Sequence, residues 1–237
     1  MAQHGKKYQE AVKLVDQDKK YLPDEALDLA KKTAYTKFDA PVEVHLTMGA
    51  DPKHADQQVR GVALLPHGLG KQVRVLVFAQ GEAARAAQEA GADYVADDEM
   101  IKKIEAGWDD FEVAIATTDV MGKVGRLGRA LGRKGLMPNP KGGTVVAPGD
   151  VSRAIGEVKK GRAEFRLDRS GAIHAVVGRA SFDTNKLVDN MASVMQAIMA
   201  AKPAAVKGNY IKAAALSASM GPSIKLDIAA VSAMKSK

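Results

Sequence analysis

Polar and apolar residues alternate along this chain with two different periods. In PVEVHLTMG, Val42, Val44, Leu46 and Met48 exchange with Glu43, His45 and Thr47, the period of two that marks a strand with one face on a core and one in water. AEFRLD alternates likewise and passes through Arg169-Ser170-Gly171 into AIHAVVG, a hairpin signal. YIKAAALSAS and SIKLDI meet at Met220-Gly221-Pro222 as a second hairpin, with Ile224, Leu226 and Ile228 on one side. Half-wet strands need antiparallel partners, and PVEVHLTMG finds none before residue 68. Between the hairpins, Leu187, Val188, Met191, Val194, Met195, Ile198 and Met199 recur at helical spacing behind Asp183, a good N-cap, and Pro203 ends the run. The methionines read as core filler, not as a metal or cofactor box. Two helices precede the first strand, the second opening with Pro23 and with Asp24 and Glu25 near its positive end.

From residue 73 the pattern changes. VRVLVFA, DYVA, FEVAIAT and TVVA are short strands too apolar to show a wet face. They alternate with GEAARAAQEAG, DDEMIKKIEAG, DVMGKVGRLGRALG and DVSRAIGEVKKG, which read as helices. Such alternation implies a parallel sheet covered on both sides. The expected fold class is therefore α/β with two domains. Residues 1–67 and 159–237 form a discontinuous α+β domain with an antiparallel sheet from both chain ends, and residues 68–158 form an inserted doubly wound, Rossmann-like domain. The chain crosses between them near LPHGLG and at Lys159-Lys160-Gly161, where glycine permits backbone rotation, so a two-strand hinge is expected.

Composition narrows the partners. The 237 residues carry 35 basic and 28 acidic side chains, a formal charge of +7. Residues 1–67 hold 10 bases and 10 acids, residues 68–158 hold 12 and 13, and residues 159–237 hold 13 and 5. An excess of +8 confined to the last third fits a localised basic surface for a polyanion. Within the near-neutral middle, residues 121–141 carry Lys123, Arg126, Arg129, Arg133, Lys134 and Lys141 and no acid, a second basic stripe. The absence of cysteine removes disulfides, thiolate metal sites and a thiol nucleophile, and suits a reducing compartment. No apolar run approaches the roughly 18 residues of a membrane helix, and MAQHGKKYQE has no signal-peptide core. A cytoplasmic protein with no membrane partner is expected.

The motifs of nucleotide chemistry fail. Gly68-Leu69-Gly70 would need a glycine at position 73, which is Val73, and Lys71 and Lys123 lack the rest of a P-loop. His4, His45, His54, His67 and His174 show no metal-ligand spacing. Asp97, Asp98 and Glu99 sit where a helix should begin, and Asp109 and Asp110 read as solvated turn residues. What stands out is the glycine-rich segment from Gly122 to Gly143, where helix is weakened by about 1 kcal/mol per glycine relative to alanine. Glycines interleaved with cations suit a phosphate chain. Three readings stay open on the residues alone: an RNA or other polyanion surface, a KH-type GxxG loop at Gly122–Gly125, and a solvated irregular connection.

At these residues the sequence resembles the L-one family of ribosomal proteins, bacterial type. The resemblance runs through KFDAPVEVHLTMG, VRGVALLPHGLGKQVRVLVFA, EAGADYV, VMGKVGRLGRALGRKGLMPNPKGGTV, AEFRLDRSGAIHAVVG and SMGPSIKLD. It implies a non-enzymatic binder of large-subunit, 23S-type ribosomal RNA with no cofactor or metal. Such a protein is a monomer within the large subunit, in the mobile stalk beside the exit site, and helps deacylated transfer RNA to leave. It also implies a translational repressor that binds its own operon messenger RNA. The family's RNA contacts fall on Thr36, Lys37, Phe38 and Glu43, on Arg166, Asp168 and Arg169, and on Ser217, Ser219, Met220 and Gly221, with auxiliary contacts expected from the second basic stripe. Many relatives have Thr where this chain has Ser219, and some have Asn where it has Leu167.

Overall fold

A computed structural model describes residues 5–234, apart from the side chain of Lys141; His4 therefore lies outside the described residues. The chain divides into two compact units, residues 1–70 with 162–237, and residues 71–161. The first segment carries α1 (Lys6–Lys13), α2 (Pro23–Thr33), β1 (Pro41–Met48) and β2 (Arg60–Leu64). The inserted unit carries β3 (Val75–Phe78), α3 (Glu82–Glu89), β4 (Tyr94–Val95), α4 (Asp98–Glu105), β5 (Val113–Thr117), α5 (Met121–Val124), α6 (Gly128–Lys134), β6 (Val145–Val146) and α7 (Val151–Lys160). The chain then returns with β7 (Arg162–Arg166), β8 (Ala172–Arg179), α8 (Thr184–Ala200), β9 (Ile211–Ala218), β10 (Ile224–Lys225) and α9 (Ile228–Ser232).

In the first unit the strands lie in the order β10-β9-β1-β8, all neighbours antiparallel. Strand β1 is interior because both its neighbours come from the far end of the chain: Val44 faces Ala175 on β8 and Leu216 on β9. The alternation in PVEVHLTM puts Val42, Val44, Leu46 and Met48 into a core shared with Leu27 of α2 and Leu187, Met191, Met195 and Ile198 of α8. Each large side chain so buried contributes about 1.5–3 kcal/mol of transfer free energy. Glu43, His45 and Thr47 are left on the outer face.

The first unit departs from the sequence expectations at four places. The turn after AEFRLD forms, with the Asp168 N–H donating to the Ala172 carbonyl and one bridge between Leu167 and Ile173. The flanking strands do not continue as a hairpin, because β7 pairs with β2 in a separate two-stranded sheet while β8 pairs with β1. Strand β2 is hidden in the sequence because its small residues mask the alternation, and Gly61 is needed there because a Cβ would stand 2.7 Å from the ring of Phe165. The second hairpin is shorter than expected. Asp227 accepts from the N–H groups of Ala229 and Ala230 and starts α9, so Ile228 is helical and not part of the strand. Asp183 does occupy the N-cap position of α8, but its side chain makes no capping bond and lies 3.5 Å from Lys186 instead.

The inserted unit is a parallel sheet in the order β4-β3-β5-β6. Strand β3 is buried on both faces: Leu76 and Phe78 join a core with Ile104, Val124, Leu127 and Leu131, while Val75 and Val77 join Ala87, Ile155 and Val158. The helix expected across DVMGKVGRLGRALG is broken, with a 3-10 turn at Gly125–Leu127 between α5 and α6. Two glycines at the break explain this, each costing about 1 kcal/mol in helix.

The hinge expected at LPHGLG is fastened to the first unit as far as Gly70. Asn190 of α8 accepts from the His67 N–H and donates to the carbonyls of Gly68 and Val177. Gly70, at φ +69°, lies so close to Phe182 that a Cβ would come within 2.7 Å of its ring.

Candidate RNA-binding surface

Thr36, Lys37 and Phe38 lie in the connection from α2 to β1, while Ser219, Met220 and Gly221 form the turn from β9 to β10. Sequence separates them by almost the whole first unit, and the sheet brings them together. The Ser219 N–H donates to the Pro41 carbonyl, and the Tyr35 hydroxyl donates to the Met220 carbonyl at 2.6 Å. Thr36 uses its hydroxyl locally, donating to the Phe38 carbonyl at 2.9 Å. Phe38 is 57% exposed and Met220 69%, although both are large apolar residues free of any need to be outside. Met220 is also the one non-glycine residue at positive φ, +67°, among the described residues. Such a conformation costs roughly 1–2 kcal/mol in a side chain of this kind, so an exposed methionine is held there against local preference. Gly221 is closely packed: a Cβ there would stand 3.0 Å from the Ala218 carbonyl oxygen, so a side chain would make that neighbour give way slightly.

Glu43 and Ser217 extend this cluster onto the outer face of the sheet, where they lie directly opposite each other on β1 and β9. Arg166, Asp168 and Arg169 fall elsewhere, at the turn between β7 and β8, next to the opposite end of β1, where Ala172 faces Thr47. Glu43 and Thr47 are four residues apart on β1, so the two groups are separated by roughly 14 Å of strand. Arg166, Arg169 and Lys37 are exposed and make no ion pair among the described residues. Asp168 differs: its carboxylate accepts from the Ser170 hydroxyl and from the N–H groups of Ser170 and Ala172. These bonds, the Ser170 hydroxyl foremost, hold its pKa down to about 2. Leu167 is buried, 3% exposed, and faces the core.

Between the two groups sits a pair of imidazoles. Nδ1 of His45 lies 2.8 Å from Nδ1 of His174 across the β1–β8 ladder, and Nε2 of His45 lies 2.9 Å from the Ser217 hydroxyl. Burial, then the neighbouring His174, pushes the pKa of His45 down, against a smaller upward pull from Glu43. Sequence reasoning singled out neither this pair nor Tyr35. Alternation placed His45 on the wet face, but the register that sets it against His174 depends on long-range pairing.

In the inserted unit, the stripe free of acids in sequence acquires two in space: Lys123 pairs with Asp98 at 3.1 Å, and Lys134 pairs with Asp109. Arg126, Arg129 and Arg133 make no ion pair among the described residues and line a cavity of about 470 Å³ with Leu127 and Leu131. The Lys141 side chain lies outside the described residues. Gly122, Gly125, Gly128 and Gly132 have nothing within 4 Å of where a Cβ would be, so no internal close approach explains them. Gly122–Gly125 is helical and not an open KH-type loop.

An antiparallel unit made from both chain ends and interrupted by a parallel α/β unit defines a class of two-unit α/β protein. Residues 30–222 match the Ribosomal protein L1p/L10e family. The chain is 62% identical over 234 residues to the Large ribosomal subunit protein uL1 of two strains of Dehalococcoides mccartyi, covering 99% of each chain. It is 54% identical over 236 residues to the protein of that name from Chloroflexus aggregans, covering 99% of this chain and all of the relative. The chain belongs to the Ribosomal protein L1p/L10e family, whose members are structural, non-enzymatic proteins of the ribosome.

Proposed function

We propose that this chain, a structural protein of the large ribosomal subunit, binds 23S-type ribosomal RNA through the outer face and end loops of its antiparallel unit. Supporting this reading most directly are the exposed Phe38, next to Lys37, and the exposed Met220, whose two loops are joined by the Tyr35–Met220 hydrogen bond. An apolar ring and a thioether at these exposures offer packing to ribose and base faces, and Gly221 lets the backbone approach. Ser217, Ser219 and Glu43 supply hydroxyls and a carboxylate for 2′-OH groups, the mark that tells RNA from DNA. Lys37, Arg166 and Arg169 hold phosphates and set register. Asp168 shapes the turn that presents Arg169.

The same reading assigns the chain to the mobile stalk beside the exit site, as a monomer within the subunit, where it assists departure of deacylated transfer RNA. Arg126, Arg129 and Arg133 give auxiliary RNA contacts, with Lys123, Lys134 and Lys141. A messenger site resembling the ribosomal one would occupy the same face, making the protein a repressor of its own operon. No helix among the described residues is long and apolar enough to cross a membrane; the proposed compartment is the cytoplasm. The deciding experiment is a nuclease footprint of the protein on total ribosomal RNA and on its operon messenger. Protection confined to one structured site in large-subunit RNA, competed by the messenger, is the expected result, and uniform weak protection would remove the proposal.

A further inference from the structure

We propose that His45 and His174 are positioning residues that set the direction of the Ser217 hydroxyl bond toward RNA, so that one proton on the histidine pair turns Ser217 from acceptor into donor. The proposal rests on the RNA-binding reading of this face. Four side chains form a line across three strands: Ser217 on β9, His45 on β1, His174 on β8 and Asp168 at the turn before β8. The successive separations are 2.9 Å, 2.8 Å and, from His174 Nε2 to Asp168 Oδ2, 3.7 Å. This line joins the cluster around Met220 to the one around Arg169.

Proton counting, together with the Asp168 carboxylate 3.7 Å from Nε2 of His174, sets the directions. A neutral imidazole carries one N–H and one bare nitrogen. Two Nδ1 atoms at 2.8 Å require one donor and one acceptor. In the neutral pair, His174 keeps its proton on Nε2, toward the Asp168 carboxylate, and its bare Nδ1 accepts from Nδ1 of His45. Nε2 of His45 is then bare and takes the Ser217 hydroxyl hydrogen, leaving only the oxygen lone pairs of Ser217 for a partner. One proton taken up from solvent gives the pair three N–H groups among its four ring nitrogens. One of the three must lie in the Nδ1–Nδ1 bond, so Nε2 of each ring, that of His45 included, carries an N–H. The His45 Nε2–H donates to the Ser217 oxygen and frees the hydroxyl hydrogen for a phosphate or ribose oxygen. A second proton would set two N–H groups against each other and break the pair. The other charged groups facing it are Glu43 on β1 and Lys225 on β10, beyond Ala215 of β9. The opposite face of the sheet carries the apolar core and offers none.

The unaltered full chain, labelled with nitrogen-15 at histidine, tests the relay directly. As pH falls and the pair takes up one proton, Nε2 of His45 should pass from bare to protonated. Both rings remaining in the Nε2–H form throughout would overturn the relay. Affinity for a large-subunit ribosomal RNA transcript, measured at fixed ionic strength over the histidine range, should rise about tenfold toward the acid end as a free donor meets an anionic acceptor. Ser217→Ala and His45→Gln should each flatten that rise, and Ser217→Thr, which restores the hydroxyl, should recover it. A Ser217→Ala protein with the full acid rise would overturn the proposal. A transcript bound by no protein at any pH would instead overturn the RNA reading of the face, and the nitrogen spectrum of the free chain would then decide the relay alone.

Discussion

Tyr35 and Met220, 185 residues apart, are joined by a 2.6 Å hydrogen bond from the phenol to the backbone carbonyl. The bond fixes a carbonyl in the turn whose side chain is the most exposed large apolar residue among those described. Tyr35→Phe removes the donor and keeps the ring. The expected loss is about 0.5–1.5 kcal/mol of RNA affinity with a smaller change in stability, because the freed carbonyl is reached by water. Parallel binding and thermal-melting measurements check it, and a loss of stability exceeding the loss of affinity would assign Tyr35 to folding alone.

Met220 itself sits at φ +67°. Met220→Gly should raise stability, by up to about 1 kcal/mol where relief of strain outweighs the added chain entropy, while lowering RNA affinity. Met220→Ala and Phe38→Ala should leave melting nearly unchanged and weaken binding by about 1–3 kcal/mol each, the range for a lost stacking contact. Equal binding by all three variants would take the pair out of the interface.

Phosphate contacts are read from salt. Log affinity should fall linearly with log salt concentration, and Lys37→Gln or Arg166→Gln should each reduce the slope by about one unit if each neutralises one phosphate. An unchanged slope in both variants would exclude them.

Asn190 is fully buried and spans three backbone groups, from His67, Gly68 and Val177. Asn190→Leu keeps the branched shape, is somewhat larger and strands those groups, so unfolding in urea should show a loss of about 2–3 kcal/mol. Nothing in sequence marks this residue. It lies three positions after Leu187 on the buried side of α8, where helical periodicity allows only for apolar packing.

Other parts of the molecule were legible because their information is local. Alternation placed β1 and its buried residues, uninterrupted apolar runs gave the parallel sheet, and the acids at 97–99 marked a helix start that Asp97 does cap, accepting from Met100 at 2.7 Å. What escaped depends on pairing. The partner of β7 is β2, a strand whose alternation is carried by Gly61 and Ala63, too small to register as apolar. Phe38 and Met220 carry their meaning through mutual placement, and only the family resemblance singled them out beforehand.

The Asp168 carboxyl is held at about 2 against an ordinary 3.8. An acid depressed in the folded state binds its proton later than in the unfolded chain, so its stabilisation is complete above the ordinary value and fades as pH falls toward the lower one. Asp168→Asn should flatten the acid limb of melting temperature against pH in that window. An acid limb identical to the parent's would show that the turn holds without its carboxylate.

Strand β1 has a bearing on how the protein is made. It emerges early in synthesis, yet both its ladders use residues from 172 onward. The inserted unit has every strand and helix within residues 71–161. On the ribosome, the later-encoded unit is therefore the first that can close on itself, and β1 waits with both hydrogen-bonding edges unpaired until the last third of the chain arrives. The order of assembly is inside-out relative to the order of translation.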